Sequence, residues 1–290
     1  MRAVVGLWIA LATGGCASLP PCPARGGPVW TEVTSPHFVV RTDLPDAAGE
    51  ALARRLEEAR ATMLAVSWPH EPDPAGRTHV VAFRSDRELA AVRHGILGEW
   101  IKQPPFRPTL LLAGTSELGE DDSAAAHEIA HDVSHRFLPF QPIWYSEGLA
   151  TFFEALTYDR ATGRARVGVA TPGRALYVGR GWSSEAVIRA HQYPPAGRAL
   201  GIFEVRSWLI FHYLFFNRGP QLAVFADRLR ALTPWDVAWD QAFPDLPFAK
   251  LDHELDGYAS DHLFRTATAQ LTIVVGAIAK RPLRLPAHRP

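Results

Sequence analysis

The pattern His127-Glu128-Ile129-Ala130-His131 constrains the fold of this chain more than any other stretch. On a helix, residues four apart lie one above the other, so His127 and His131 would share a face. Two imidazoles at this spacing can bind one metal ion, and Glu128 would lie beside that ion, placed to take a proton from a bound water. The pattern therefore predicts a helix that buries one face and offers the other to a zinc ion.

A third metal ligand is needed, because two histidines leave zinc one protein ligand short. The predicted ligand is Glu147, which lies among the apolar residues of 144–150 and would need a counter-charge in that setting. Glu154 is the alternative third ligand. His135 continues the histidine stripe, but a fourth protein ligand would close the site to water. We therefore expect His135 to lie behind the ligands, in the cleft or at the surface.

Periodicity along the first half of the chain predicts strands alternating with helices. Residues 37–42, 79–83 and 109–113 carry the composition of strands. An amphipathic helix is predicted between the first two strands and a short helix after the second. The glycine- and proline-containing stretch 94–108 is expected to be a long loop.

The second half of the chain has mainly helical patterns. Its apolar run at 209–216 is too short to span a bilayer, so we expect it in the buried core. The folded domain is predicted to cover 29–262. Residues 263–290 are expected to be a tail, with one strand predicted at 270–278. The fold class is therefore α+β, with a small mixed sheet, the metal-binding helix and a mainly helical C-terminal half.

The N-terminus has the features of an export signal. Arg2 precedes an apolar run, and the small residues 13–15 lead to Cys16, as at a bacterial lipoprotein cleavage site. We expect residues 1–16 to be a signal peptide and residues 17–28 a tether. A lipid on Cys16 would then anchor the protein to the bacterial cell envelope. Soluble secretion and an uncleaved anchor are the alternatives.

Charge and cysteine content disfavour several classes of protein. Lys and Arg number 30 and are balanced by 30 Asp and Glu, and no block of like charge interrupts the predicted domain. Neither nucleic acid nor a polyacidic partner is therefore indicated. The two cysteines, Cys16 and Cys22, both precede the predicted domain. A cysteine-rich structural zinc site is disfavoured for that reason.

The two metal-site motifs resemble those of the gluzincins, the zinc peptidases that include thermolysin and the zinc aminopeptidases. The stretch Trp-Tyr-Ser-Glu-Gly-Leu-Ala at 144–150 is similar to the Trp-x-x-Glu-Gly-x-Ala stretch of the aminopeptidases. The wider pattern is similar to the bacterial peptidase MA-like family. This resemblance implies a zincin-like fold and a peptide or protein substrate. The implied zinc ligands are His127, His131 and Glu147, and the implied base is Glu128.

Two departures from the gluzincin pattern bear on activity. The gap between His131 and Glu147 is shorter than in the larger gluzincins. Aminopeptidase-like relatives also carry a tyrosine on a later helix that binds the developing oxyanion, and the comparable place here holds Phe203 or Glu204. The candidate substitutes, which the sequence does not rank, are Tyr145, Tyr177, His212 and Tyr213.

Two functions are consistent with these patterns. The first is zinc-dependent hydrolysis of peptide bonds, with Glu128 activating a zinc-bound water. In that case the strand at 109–113 could pair with an extended substrate at the edge of the sheet. The alternative is a catalytically inactive zincin-fold lipoprotein that serves as a binding or assembly module.

Overall fold

The structure is a computed structural model that describes the larger part of the chain. The described residues are 27–93, 98–101, 109–113, 123–170, 181–260 and 263–283. The predicted signal peptide with Cys16, most of the predicted tether and Tyr177 lie outside these ranges. The expectations for those residues therefore stay predictions.

The larger sheet has six strands in the described part of the chain. In chain order these are β1 (Thr31–Thr34), β2 (Phe38–Thr42), β3 (Thr78–Phe83), β4 (Gly98–Ile101), β5 (Thr109–Ala113) and β9 (Ala279–Pro282). Their spatial order is β4-β5-β3-β2-β1-β9. The central strands β2, β3 and β5 are parallel, whereas β4, β1 and β9 pair antiparallel with their neighbours. The sheet is therefore mixed, as the sequence predicts.

A smaller antiparallel sheet consists of β6 (Thr157–Asp159), β7 (Arg164–Val167) and β8 (Ala267–Gln270). Residues 263–283, which the sequence assigns to a tail, therefore supply one strand to each sheet. The strand predicted at 270–278 is wrong, because residues 271–278 connect β8 to β9. Strand β8 pairs with β7, and β9 pairs with β1, so their backbone hydrogen bonds go to partners far away in the sequence. Such partners leave no signal in the local sequence.

Nine helices are present among the described residues. They are α1 (Asp46–Ser67), α2 (Asp86–Val92), α3 (Ser123–Phe137), α4 (Ile143–Glu154), α5 (Ser184–Ile188), α6 (Arg198–Asn217), α7 (Gly219–Arg230), α8 (Trp235–Ala242) and α9 (Phe248–Ala259). Helices α1 and α2 lie where the sequence predicts them, α3 carries the metal-site motif, and the later helices form the predicted helical half. Together with the mixed sheet they confirm the α+β fold and its mainly helical C-terminal half.

The apolar stripes of the helices explain how the layers pack. Helix α1 buries Leu52, Leu56 and Met63, which recur at helical spacing, and α3 buries Ile129 and Val133. Helix α3 lies between α1 and α4 and also contacts β4 and β5. The metal-site motif therefore lies where the sheet half of the molecule meets the helical half.

Helices α4 and α6 approach each other very closely. A Cβ atom added at Gly148 would lie 2.6 Å from the carbonyl oxygen of Ser207, so the glycine lets the two backbones come together. Among the described helices, α6 is the one long and apolar enough to cross a membrane, yet 61% of its most apolar window is buried inside the protein. Residues 209–214 are all buried. The apolar composition of α6 is thus that of a core helix, as predicted.

The position of β4 corrects two predictions. Its four residues lie inside the stretch 94–108, which the sequence assigns to a loop. Strand β4 pairs with β5, whose other side pairs with β3, so the expectation that 109–113 forms the sheet edge is wrong. Among the described strands, β4 is the edge at this end of the sheet. A four-residue strand is too short to show an alternating pattern, which explains why sequence reasoning missed it.

Candidate metal centre

Helix α3 presents two of the predicted ligands to one point. Because Ile129 and Val133 anchor the helix in the core, the face that carries His127 and His131 is turned toward α4. The Nε2 atoms of these two histidines lie 3.1 Å apart. The four-residue spacing therefore brings both imidazoles to a common position, as the helical geometry predicts.

Glu147 on α4 completes the group. Its Oε2 atom lies 3.4 Å from Nε2 of His127, and its Oε1 atom lies 3.5 Å from Nε2 of His131. Glu147 is only 5% exposed. The ligand atoms of these three side chains all lie within 4.8 Å of one another. The group could therefore hold a metal ion.

The other ring nitrogen of each histidine also has a partner, and both partners lie on α4. Nδ1 of His131 is 2.8 Å from Oγ of Ser146. Nδ1 of His127 is 3.6 Å from Oε2 of Glu154. Glu154, the alternative third ligand, thus faces the outer side of the His127 ring and is not part of the three-residue group.

The charges of the group are strongly coupled. Burial alone would lower the pKa of His127, but the neighbouring carboxylates of Glu147 and Glu154 have the larger effect and raise the pKa to about 10. Burial lowers the pKa of His131 to about 4. Burial raises the pKa of Glu147, but the two histidines outweigh it and lower the pKa to about 2. A buried carboxylate such as that of Glu147 thus needs a positive charge beside it. Here the protonated ring of His127 carries that charge, and a metal ion could supply it instead.

Glu128 lies against the edge strand β4. A Cβ atom added at Gly98 would lie 2.9 Å from Cγ of Glu128, and the backbone N–H of Trp100 donates a hydrogen bond to the Glu128 carboxylate. Burial is the largest cause that raises the pKa of Glu128 to about 7, although nearby His127 acts in the opposite direction. A carboxyl group with such a pKa can both take and give a proton near neutral pH.

Trp100 and Asp132 tie β4 to α3. The indole N–H of Trp100 donates to Oδ1 of Asp132 over 3.3 Å, and the Trp100 ring lies 4.4 Å from the ring of His135. Thr78 on β3 donates to the other oxygen of Asp132 over 2.5 Å. His135 bonds through Nδ1 to the carbonyl oxygen of His131 at 2.9 Å. His135 therefore supports the site from behind and does not join the three-residue group.

The described oxyanion candidates from the sequence have partners elsewhere. Tyr145 precedes Glu147 by two residues and so points to nearly the opposite side of α4, where its ring packs on Phe211 and Phe225. The hydroxyl of Tyr213 donates to Glu254 on α9. We conclude that neither tyrosine reaches the metal centre.

His212 is also a structural residue. Its Nε2 atom lies 3.0 Å from the carbonyl oxygen of Gly168 and 2.9 Å from that of Arg265, and its Nδ1 atom lies 2.8 Å from the hydroxyl of Tyr258. Both nitrogens are thereby satisfied within the core. The proposal that His212 binds an oxyanion is therefore not supported by its position.

Sequence reasoning missed the tyrosine that does reach the group. Tyr193 lies between α5 and α6, and its hydroxyl donates to Oε1 of Glu147 over 2.8 Å. Burial and the neighbouring Glu147 raise the pKa of Tyr193 above its ordinary value, so the hydroxyl keeps its proton. The contact joins residues 46 positions apart. The one local sign was a tyrosine next to two prolines in a segment without periodicity.

Comparison with known proteins adds no relative. No protein-family model matches the sequence, and no curated protein matches it significantly. The functional argument therefore rests on the residues and their geometry.

Proposed function

We propose that the protein is a zinc-dependent hydrolase of peptide bonds, of the gluzincin type and similar to the peptidase MA-like family. The observation that carries the proposal is the convergence of His127, His131 and Glu147 within 4.8 Å, with Glu128 as the next residue on the same helix. Two imidazoles and one carboxylate are the protein ligands of many catalytic zinc sites, which keep a further position open.

The spacing of the ligand atoms fits zinc. Two ligands that each lie 2.0–2.1 Å from a tetrahedral zinc ion are separated by about 3.3 Å. The Nε2 atoms of His127 and His131 lie 3.1 Å apart, and the two oxygens of Glu147 lie 3.4 Å from the first and 3.5 Å from the second. A larger cation such as Ca²⁺ would require more oxygen ligands at longer distances. The donor set and its dimensions thus support zinc.

We infer that Glu128 is the general base, because it follows His127 directly and interacts electrostatically with both His127 and Glu147. When bound, Zn²⁺ would polarise a substrate carbonyl and lower the pKa of water toward about 7. Glu128 would take a proton from the attacking water and pass it to the leaving nitrogen as the peptide bond breaks. The hydrogen bond from the backbone N–H of Trp100 holds the carboxylate in place.

The edge strand β4 offers a place for an extended substrate. Within the described residues, β4 pairs with β5 alone and is the last strand at this end of the sheet. The N–H of Trp100 points from β4 toward Glu128, which puts the base beside this strand. A peptide that adds to an exposed edge gains backbone hydrogen bonds that do not depend on its sequence. We expect the substrate to be a peptide or protein in extended conformation.

Export and anchoring complete the proposal. The signal-like N-terminus and Cys16 favour a lipid anchor at the bacterial cell envelope. A protein tethered in this way would act on peptides or proteins of that compartment. Incorporation of a labelled fatty acid into the wild-type chain, lost on Cys16→Ser, checks this part separately.

The test of the hydrolase uses Glu128→Gln, with Glu185→Gln as the matched control. Glu185 lies on the surface of α5 and pairs with Arg189. We expect Glu128→Gln to bind one zinc per chain but to lose cleavage of a peptide library, whereas the control keeps both properties. Zinc binding without any cleavage by the wild-type protein would instead support the inactive binding module. If the wild-type protein bound no zinc, the proposed hydrolase function would be refuted.

A further inference from the structure

The segment 189–197 joins α5 to α6 and reaches the metal centre through Tyr193. Among residues 191–197, only Pro194 is buried. Tyr193 itself is 52% exposed. The segment is thus held against the protein by few buried side chains, so each specific contact matters for its position.

Among the described residues, three side-chain contacts join this segment to α4, α8 and α9. The Tyr193 hydroxyl bonds Glu147 on α4. The ring of His191 lies 5.5 Å from the ring of Trp235 on α8. The guanidinium group of Arg189 lies 5.3 Å from the ring of Phe248 on α9. Two of these contacts are with the C-terminal helices, and the hydroxyl of Tyr193 makes the contact with the metal-binding group.

The hydrogen bond from Tyr193 to Glu147 is suited to orient Glu147 as a metal ligand. A hydroxyl that donates to a carboxylate makes a stronger hydrogen bond than one between neutral groups. The acceptor Oε1 of Glu147 is the same atom that faces His131 at 3.5 Å. A carboxylate oxygen can accept a hydrogen bond and bind a metal at once, and partners of this kind fix the orientation of metal ligands.

We propose that Tyr193 is the positioning residue of Glu147, and that metal binding and docking of the segment 189–197 stabilise each other. The inference rests on the metal-binding part of the proposed function. If the hydroxyl holds Glu147 ready for the metal, removal of the hydroxyl weakens metal binding. By linkage, a bound metal then stabilises the docked segment to the same extent.

The first measurement is zinc affinity. Tyr193→Phe removes one oxygen atom from a half-exposed residue, so the fold should be retained, which circular dichroism checks. We expect the dissociation constant for Zn²⁺ to rise about 10- to 100-fold. Tyr158→Phe is the matched control, because the Tyr158 hydroxyl accepts a 3.4 Å hydrogen bond from the backbone N–H of Ile273, away from the metal-binding group. The control should bind zinc as the wild type does.

The second measurement is limited digestion with trypsin, which can cleave after Arg189 and Arg198 at the two ends of the segment. Zinc should slow cleavage at these sites in the wild-type protein at least about tenfold, by the coupling argument. In Tyr193→Phe, zinc at a saturating concentration should protect them much less. Cleavage at sites outside the segment serves as the internal reference.

The outcomes separate this inference from the proposed function. If the wild-type protein binds no zinc, the proposed function fails. If wild type and Tyr193→Phe bind zinc equally and gain equal protection, only the role of Tyr193 is refuted. A loss of kcat in Tyr193→Phe with unchanged zinc affinity would also refute it, because the hydroxyl would then act on the reaction itself.

Discussion

The Oε2 atom of Glu154 lies 3.6 Å from Nδ1 of His127, while Nε2 of the same ring lies 3.4 Å from Glu147. One imidazole is therefore held between two carboxylates of a single helix. Residues seven apart are about two turns apart and share a helix face, so α4 can supply both carboxylates. A carboxylate on the outer nitrogen of a metal-binding histidine fixes the ring and increases its basicity.

The Glu154→Gln variant should bind zinc about 10- to 100-fold more weakly, since it loses the charge that orients His127. Ser146→Ala, which removes the hydroxyl next to Nδ1 of His131, should have a smaller effect, because the lost partner is neutral. Competition with a fluorescent zinc chelator measures both constants. Equal affinities for Glu154→Gln and the surface control Glu185→Gln would contradict the orienting role.

Substitution of Gly98 should separate catalysis from metal binding. In Gly98→Ala, the new Cβ atom would lie 2.9 Å from Cγ of Glu128, so the side chain of the base must shift. We expect kcat for peptide cleavage to fall about 10- to 100-fold, while zinc content stays at the wild-type level. Gly257→Ala, where the new Cβ would meet no described atom within 4 Å beyond its own helix, is the control. An unchanged kcat in Gly98→Ala would mean that the contact does not position Glu128.

The close approach of α4 and α6 predicts an effect on stability. Gly148→Ala should lower the free energy of unfolding by about 1–3 kcal/mol, because the two backbones must separate to admit a methyl group. Gly257→Ala lies in α9 with open space around it, so it should raise stability by up to about 1 kcal/mol through helix propensity. Urea unfolding of both variants measures these changes. Similar stabilities for the two variants would show that the interface adapts freely.

His212 predicts a loss of stability in mild acid. Burial lowers its pKa from 6.5 to about 4, because the folded core holds the ring neutral between two carbonyl groups and Tyr258. Between these two values the unfolded chain binds a proton that the folded chain does not. Stability from this group is therefore complete above about pH 6.5 and declines as the pH falls toward 4, by up to about 3 kcal/mol.

The variant His212→Gln isolates this contribution. It should be less stable than the wild type at pH 7.5, and the difference in unfolding free energy between the two proteins should shrink as the pH falls to 4.5. Urea titrations at several pH values measure this difference in unfolding free energy. The contributions of the other titrating groups are the same in both proteins and cancel in the difference. A difference that is constant with pH would show that His212 is not held neutral in the fold.

The sequence alone determined the parts of this protein that depend on local geometry. The spacing of His127 and His131 brings them together on any helix, whatever surrounds it. The apolar stripe with Ile129 and Val133 decided which face of α3 is buried. The acidic Glu147 within an apolar stretch indicated a buried carboxylate in need of a positive charge. The α+β class followed from the same periodicities.

Only the tertiary structure decided which distant elements complete the site. Strand β4 forms by pairing with the edge of β5, and β9 forms by pairing with the edge of β1. Neither strand could therefore be predicted from its own residues. Tyr193 reaches Glu147 from a segment without periodicity, whereas Tyr145 and Tyr213 have partners elsewhere. The physical reason is that a periodic pattern reports which face of an element is covered. It carries no information on what covers that face, because long-range contacts depend on how the whole chain packs.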